Sequence, residues 1–252
     1  MPILLSNDDG VGAPGLAALR DALAELDEIW VVAPDRDQSA VSHSVTLHRP
    51  LRIDNIAPRT YAIDGTPTDC VNIAVNAILK TCRPRLILSG INNGANLGDD
   101  VTYSGTVSAA MEGTLLGIPS IAVSLVSRDH KQADFGAAAE FARRLAATLL
   151  RGEIPADTLL NVNVPDLPAA EIKGFALTRQ GKRRYSDAIV EKVDPRGRKY
   201  YWIGGESLDF VDAEGTDFNA TSRGYISVTP LHLDLTNYES LKQLEHLEIA
   251  WP

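Results

Sequence analysis

Cysteine is scarce in this chain, which has only Cys70 and Cys82 among its 252 residues. The two do not form a C-x-x-C pair, and no histidines accompany them at the spacing of a zinc finger. We therefore expect both thiols to be reduced and structural, and we expect neither to be catalytic.

Long apolar runs are also missing, since none approaches the roughly 20 residues that a membrane helix needs. The opening segment, Met-Pro-Ile-Leu-Leu-Ser, has no basic stretch ahead of an apolar one, as a secretory signal would. Apolar residues make up 44% of the chain and charged residues 23%, close to the average for soluble proteins. These features predict a soluble cytoplasmic protein that does not contact a membrane.

The chain lacks an excess of positive charge, because its formal net charge is −9. Binding to a nucleic-acid polymer relies on clustered lysine and arginine that release counterions, so we expect no such partner. An anionic substrate must instead be held locally. The one basic cluster, Lys182-Arg183-Arg184, is interpreted as a solvated hairpin end, with a subunit contact as the alternative.

The first half alternates short β-branched or leucine-rich runs with helical patterns, which is typical of a parallel sheet with crossover helices. Leucines at 16, 19, 23 and 26 predict a helix packed on that sheet, and Thr66-Pro67-Thr68-Asp69 predicts a capped helix start. The result is an α/β fold with a three-layer α/β/α core. Strands are predicted at Ile3 to Leu5, Ile29 to Ala33, Tyr61 to Ile63, Leu86 to Leu88 and Ile121 to Leu125, and helices at about Thr106 to Leu116 and Phe135 to Leu150.

The second half is predicted to be rich in β-structure, with one further helix near Tyr238 to Leu247. The turn signal Asp194-Pro195-Arg196-Gly197 predicts a long hairpin within Gln180 to Gly205. Because such a hairpin cannot bury itself alone, we expect a partner subunit to cover it. We predict a catalytic core at 1–178 and an oligomerisation extension at 179–252. Other strands are predicted at Leu159 to Val164, Ile172 to Arg179, Lys199 to Ile203 and Tyr225 to Val228.

Adjacent carboxylates, Asp8 and Asp9, follow the first predicted strand. Ligands of open parallel sheets bind beyond the carboxyl ends of the strands, where Ser39 and Asn92 also fall, after the second and fourth predicted strands. Two close carboxylates repel unless a proton or cation lies between them, and neutral oxygens can complete a magnesium-like site. The alternative, that the pair caps the following helix, is weaker for two adjacent acids than for one.

A glycine pattern competes with this interpretation, because Gly10-Val11-Gly12-Ala13-Pro14-Gly15 matches the GxGxxG of dinucleotide-binding folds. In that fold the glycines follow the strand directly, whereas here Ser6 to Asp9 intervene and place two negative charges beside the expected pyrophosphate. We therefore rank a dehydrogenase below a metal-dependent enzyme.

A second candidate site is Ser104-Gly105-Thr106, immediately before a predicted helix. Free N–H groups and the helix dipole can bind an anion there, although Ser104 or Thr106 could simply cap the helix. Asn96 and its glycine-rich loop favour the anion site. Asp99 and Asp100 form a second acidic pair, so only the position at a strand end singles out Asp8 and Asp9. No histidine lies at metal-ligand spacing or beside a candidate nucleophile.

These motifs closely resemble the SurE family, the survival proteins that act as 5'-nucleotidases. The matching segments cover nearly the whole chain, up to about Tyr238. They include Leu5-Ser6-Asn7-Asp8-Asp9-Gly10, Val32-Ala33-Pro34-Asp35, Gly65-Thr66-Pro67-Thr68-Asp69-Cys70, Ser89-Gly90-Ile91-Asn92 and Tyr103-Ser104-Gly105-Thr106-Val107.

The resemblance implies a Rossmann-like fold with a protruding hairpin, forming homodimers or homotetramers. It implies one divalent cation per subunit, Mg²⁺ or Mn²⁺, and hydrolysis of nucleoside 5'-monophosphates, with 3'-monophosphates and polyphosphate as further substrates. The implied metal ligands are Asp8, Asp9, Ser39 and Asn92, and the implied phosphate contacts are Asn96, Ser104, Gly105 and Thr106.

The mechanism expected from the residues is attack by a water that Asp8 or Asp9 orients or deprotonates. A covalent aspartyl phosphate is the chemical alternative. A nonenzymatic nucleotide-binding protein is the functional alternative, because a fold alone fixes no activity.

Overall fold

The computed structural model describes residues 2–127, 133–152, 159–184, 189–203 and 210–247. They form a nine-stranded sheet and a separate two-stranded hairpin. The strands are β1 (Ile3–Ser6), β2 (Ile29–Pro34), β3 (Ile53–Ala57), β4 (Thr60–Ile63), β5 (Leu86–Asn93), β6 (Ser120–Val126), β7 (Leu159–Pro165), β8 (Phe175–Leu177), β9 (Ile189–Val193), β10 (Lys199–Ile203) and β11 (Ile226–Leu231). The helices are α1 (Pro14–Leu23), α2 (Pro67–Ile73), α3 (Gly105–Leu115), α4 (Gly136–Leu149), α5 (Asp217–Ser222) and α6 (Tyr238–Leu244).

The sheet has the order β3-β4-β2-β1-β5-β6-β7-β11-β8. Its middle, from β4 to β7, is parallel, whereas β3 and β11 run antiparallel to β4 and β7. The chain leaves β1 towards β2 and β4 on one side and then returns to β5 on the other. This reversal opens a crevice beyond the carboxyl ends of β1 and β5, where ligands of such sheets bind.

Helices cover both faces of the sheet, so the predicted three-layer, Rossmann-like α/β/α arrangement is confirmed. On one face α1 and α4 pack into the largest apolar cluster, where Leu16, Leu19 and Leu23 are buried as their spacing predicted. On the other face α2 and α3 cover Leu4, Val32 and Ile87. None of the helices in the described ranges is long and apolar enough to span a membrane.

The start of α2 is the predicted capping box. The backbone N–H of Asp69 donates to Thr66 Oγ1 at 3.1 Å, and the backbone N–H of Thr66 donates to Asp69 Oδ2 at 2.9 Å. Cys70 follows within the helix and is buried, Cys82 is exposed, and both are free thiols. Burial raises the pKa of the Cys70 thiol well above its usual value, which fits a structural role.

Two predicted strands had wrong bounds, and two elements were not predicted. The strand expected from Ile172 to Arg179 is reduced to β8, because a 3₁₀ turn at Ala169–Glu171 precedes it and Gly174 takes a φ of +120°. The strand expected to end at Leu88 continues as β5 to Asn93, with an irregularity in its pairing to β6 after Ser89. Helix α5 was not predicted, and the edge strand β3 was also missed.

The predicted hairpin is confirmed, because β9 and β10 pair antiparallel across the turn that begins at Asp194. The backbone N–H of Gly197 donates to Asp194 O at 3.0 Å, and Gly197 has a φ of +78° that suits glycine. All residues of both strands are exposed. The predicted end at Gly205 lies outside the described residues.

The segment beyond residue 179 also contributes to the main sheet. Strand β11 pairs with β7, for example Val228 opposite Val162, and lies between β7 and β8. The division into a core at 1–178 and an extension at 179–252 stays a prediction.

Candidate functional site

Asp8 and Asp9 follow β1 after one residue, Asn7, and lie at the crevice between β1 and β5. Gly10 follows with a φ of +96°, so the chain curls there in a conformation that glycine tolerates. Asn7 stabilises the curl, because its side-chain amide donates to Gly10 O at 2.9 Å. Its Oδ1 is buried and has no hydrogen-bond partner among the described residues.

The Asp8 carboxylate is held by the start of α3. The backbone N–H of Thr106 donates to Asp8 Oδ2 at 3.0 Å, and the Thr106 hydroxyl donates to Asp8 Oδ1. A Cβ on Gly105 would lie only 2.7 Å from Asp8 Cβ, so this close approach requires glycine at position 105. Two of the predicted phosphate-binding residues therefore meet a predicted metal ligand directly.

Burial dominates the electrostatics of Asp8, whose residue surface is only 4% exposed. The net pKa of this carboxyl rises from 3.8 to about 6. Loss of solvation is the largest cause, the charge of Asp9 adds to the rise, and the hydrogen bonds from Thr106 oppose it. In the described part of the chain Asp8 makes no ion pair with a lysine, arginine or histidine. A buried Asp8 carboxylate without a basic partner among the described residues, next to the second carboxylate of Asp9, suits a bound cation.

Asp9 faces the end of β5. Its Oδ2 accepts a hydrogen bond from the backbone N–H of Asn93 at 3.3 Å, and its side chain is only partly buried. The neighbouring Asn92 donates its side-chain amide to Gly94 O at 2.8 Å, which leaves the Asn92 carbonyl oxygen for another contact. Asn92 thus lies at the end of a strand, not in the loop that the sequence suggested.

Ser39 lies in the segment that follows β2. The backbone N–H of the preceding residue, Gln38, donates to Asp8 O at 2.8 Å, which brings this segment to the same sheet edge. The Ser39 hydroxyl donates to Asp37 Oδ1 at 2.6 Å, so its oxygen lone pairs remain available to a cation.

Ser104 is the N-cap of α3, because its Oγ accepts a hydrogen bond from the Val107 N–H at 3.0 Å. This is the capping role that the sequence left open as an alternative. In the first turn of α3, the Thr106 N–H is used by Asp8 and the Val107 N–H by Ser104. The Gly105 N–H makes no hydrogen bond to another described residue, so it is available to an anion.

Asn96 is buried at the centre of a polar network. Its side-chain amide donates to Ser124 Oγ at 2.7 Å, and its backbone oxygen accepts from the amides of Asn161 and Asn163 at 2.8 and 3.0 Å. These bonds anchor the loop that leads from β5 towards α3. They give Asn96 a structural role.

Three side-chain contacts were not foreseen from the sequence. His43 Nε2 lies 3.1 Å from Glu112 Oε2, and Asn72 donates to Glu112 Oε1 at 2.7 Å. Arg183 pairs with Asp100 at 2.7 Å with both side chains about one-fifth exposed, so this part of the basic cluster is not the solvated hairpin end that we expected. The one sequence feature that could have pointed to the Glu112 contacts is that Glu112 is the single charged residue within α3.

The donor set fits a hard divalent cation. Within the described residues, no group of three or more histidine, cysteine, aspartate or glutamate side chains could hold a metal ion. The predicted set instead combines the carboxylates of Asp8 and Asp9 with neutral oxygens of Ser39 and Asn92, and Mg²⁺ uses one or two carboxylates with other oxygens and waters.

Comparison with known proteins gives one consistent result. A family model described as Survival protein SurE matches residues 3–187. The chain is 59% identical over 250 residues to a protein of Geotalea uraniireducens named 5'-nucleotidase SurE, covering 99% of this chain and 100% of the relative. It is 58% identical to a Geobacter sulfurreducens protein of the same name, covering 99% and 95% of the two chains. The crystal structure of the Sure protein from Aquifex aeolicus superposes with a TM-score of 0.89 at 49% identity, covering 99% and 100%.

Proposed function

The chain belongs to the SurE family, and from that premise we propose that it is a divalent-metal-dependent 5'-nucleotidase. It would hydrolyse nucleoside 5'-monophosphates to nucleoside and phosphate, with 3'-monophosphates and polyphosphate as further substrates. The observation that carries the proposal is the buried Asp8 carboxylate, which lies beside Asp9 at the sheet crevice and is bound to the start of α3. Relatives along the whole chain bear the name 5'-nucleotidase SurE.

We place one Mg²⁺ or Mn²⁺ ion per subunit against Asp8, Asp9, Ser39 and Asn92. When bound, such an ion supplies positive charge to the phosphate oxygens and makes water more acidic. The support is the donor chemistry. The buried Asp8 carboxylate has no basic partner in the described part of the chain, and it lies next to the Asp9 carboxylate, a hydroxyl and an amide oxygen.

The protein groups divide the remaining work. The Gly105 N–H at the start of α3 would donate to a phosphate oxygen, where the helix dipole favours negative charge. Ser104 and Thr106 would shape this pocket through their bonds to Val107 and Asp8, and Asn96 would hold the loop in front of it. Asp9 is better placed than Asp8 to orient or deprotonate the attacking water, because Asp8 accepts two hydrogen bonds from Thr106.

Phosphate release from AMP tests the proposal. We expect hydrolysis with Mn²⁺ or Mg²⁺, its loss in EDTA, and its loss in Asp9→Asn. The matched control is Asp99→Asn, which neutralises one member of the other acidic pair. Asp99 lies 3.8 Å from Lys182, and this variant should keep its activity. Activity that survives EDTA would refute the metal site, and nucleotide binding without hydrolysis would favour a nonenzymatic role.

A substrate made chiral at phosphorus separates the two chemical routes. Direct attack by water inverts the phosphorus centre, whereas a covalent aspartyl phosphate passes through two displacements and retains it. We expect inversion, and retention would establish the covalent route.

We also propose that the protein works as a homodimer or homotetramer in the cytoplasm. The support for assembly is apolar surface on the hairpin and on α6. On the hairpin, Tyr201, Trp202 and Ile203 are 56%, 60% and 88% exposed. On α6, Leu241 and Leu244 are 54% and 57% exposed. A two-stranded hairpin is marginal in water without further packing.

A further inference from the structure

The segment that contains Ser39 is a strap, which we define as residues 38–46. It begins at the bond from the Gln38 N–H to Asp8 O, and it contacts the starts of α3 and α2 further along. Two of its residues, Ala40 and Ser42, have φ values of +57° and +55° although neither is glycine. Such conformations are unfavourable for L-residues and persist only where surrounding contacts hold them. The strap therefore depends on its anchors.

The strap has anchors at the starts of both helices. The Ser42 N–H donates to Tyr103 O at 3.1 Å, just before α3. Further along, the Thr66 hydroxyl donates to Ser44 O at 2.7 Å, and the Thr46 N–H donates to Asp69 Oδ1 at 2.9 Å. The capping box of α2 thus also ties down the far end of the strap.

Between these anchors, His43 contacts Glu112. The Glu112 side chain is only 10% exposed, and both of its oxygens are used, one by His43 at 3.1 Å and the other by Asn72 of α2 at 2.7 Å. A buried carboxylate is costly unless its hydrogen bonds are satisfied, and α3 otherwise has no charged residue. The carboxylate joins α2, α3 and the strap at one point.

We propose that Glu112 is a positioning residue, which through His43 holds the strap in the strained conformation that presents Ser39 to Asp8 and Asp9. This inference rests on the proposed metal site. Residues that orient metal ligands from behind typically contribute about 10- to 100-fold to metal affinity. Because Glu112 acts through the strap, the lower end of that range is expected.

The test is Mn²⁺ affinity, measured by the electron paramagnetic resonance signal of free Mn²⁺ titrated with the full-length protein. Glu112→Ala should weaken binding about tenfold, and His43→Ala should do the same. Glu112→Gln should restore near wild-type affinity, because its amide keeps a hydrogen bond to a histidine ring that can change tautomer. The matched control is Glu140→Ala on α4, which removes a glutamate bonded to Arg143 and Arg144 far from the strap.

The decisive arm places Glu112→Ala in a Ser39→Ala background. If Glu112 acts through Ser39, the second substitution adds no further loss of affinity. An equal loss in both backgrounds, or an unchanged affinity of Glu112→Ala alone, overturns the inference. If Glu112→Ala does not fold, His43→Ala in the same two backgrounds gives the answer, because His43 is partly exposed. Failure of the wild type to bind Mn²⁺ would overturn the proposed metal site and this inference together.

Discussion

Replacing Asp8 with asparagine should stabilise the metal-free protein while abolishing its activity. The pKa of Asp8 rises from 3.8 to about 6 on folding, chiefly because of burial, so ionising this carboxyl opposes folding. Above pH 6, a rise of that size lowers the free energy of unfolding by about 3 kcal/mol, at about 1.36 kcal/mol per pKa unit. Asparagine has nearly the same shape, accepts from the Thr106 N–H, and can donate to the Thr106 hydroxyl.

The sign of the pH dependence follows from the same pKa. The contribution of Asp8 to stability is fully present below pH 3.8, is lost as the pH rises towards 6, and stays lost above it. Urea unfolding in EDTA should therefore show Asp8→Asn and wild type nearly equal at about pH 4, with Asp8→Asn more stable by up to about 3 kcal/mol at about pH 8.

Added Mn²⁺ should reverse the order, because only the wild type can bind it with both carboxylates and binding to the folded state stabilises it. A difference in stability that does not vary with pH would refute this account of Asp8. So would an Asp8→Asn protein that is less stable than wild type at about pH 8 in EDTA.

Three further substitutions have distinct expected outcomes. Asp217→Asn should lower the free energy of unfolding by about 2 kcal/mol, measured with urea. The Asp217 carboxylate accepts three backbone N–H bonds at 2.7–2.8 Å, whereas an amide offers only one acceptor oxygen. An unchanged stability would contradict this prediction. Gly105→Ala should lower kcat/KM by about 10- to 100-fold, because the new Cβ would lie 2.7 Å from Asp8 Cβ. Gly12→Ala is the control: no atom lies within 4 Å of the Cβ that it would add, so kcat/KM should not change. Trp202→Ser should shift the protein towards monomer in light scattering. An unchanged mass would show that the exposed hairpin surface does not hold the subunits together.

The parts of the fold that the sequence predicted are those where local patterns and tertiary packing agree. Strand β1 is a continuous buried apolar run, and helix α1 has leucines at helical spacing. Thr66 and Asp69 cap α2 with the residue types that the motif requires. Helix α5 was missed because Asn219, Thr221 and Ser222 are weak helix formers. It is held instead by the Thr216 cap and the buried bonds of its first residue.

The candidate site was predictable to the extent that strand ends fix it. Asp8 and Asp9 follow β1 as expected, and topology alone places Asn92 beside them at β5. The bond between Thr106 and Asp8 spans 98 positions, and the contact between His43 and Glu112 spans 69, so no local pattern reveals either. These long-range contacts need the packed structure.

Anomalous diffraction from a crystal soaked in Mn²⁺ tests the central claim most directly. The account predicts one anomalous peak per subunit, about 2.0–2.2 Å from oxygens of Asp8 and Asp9, with Ser39 and Asn92 completing the protein side. A peak at Asp99 and Asp100 instead, or no peak at the crevice between β1 and β5 in an active protein, would contradict it.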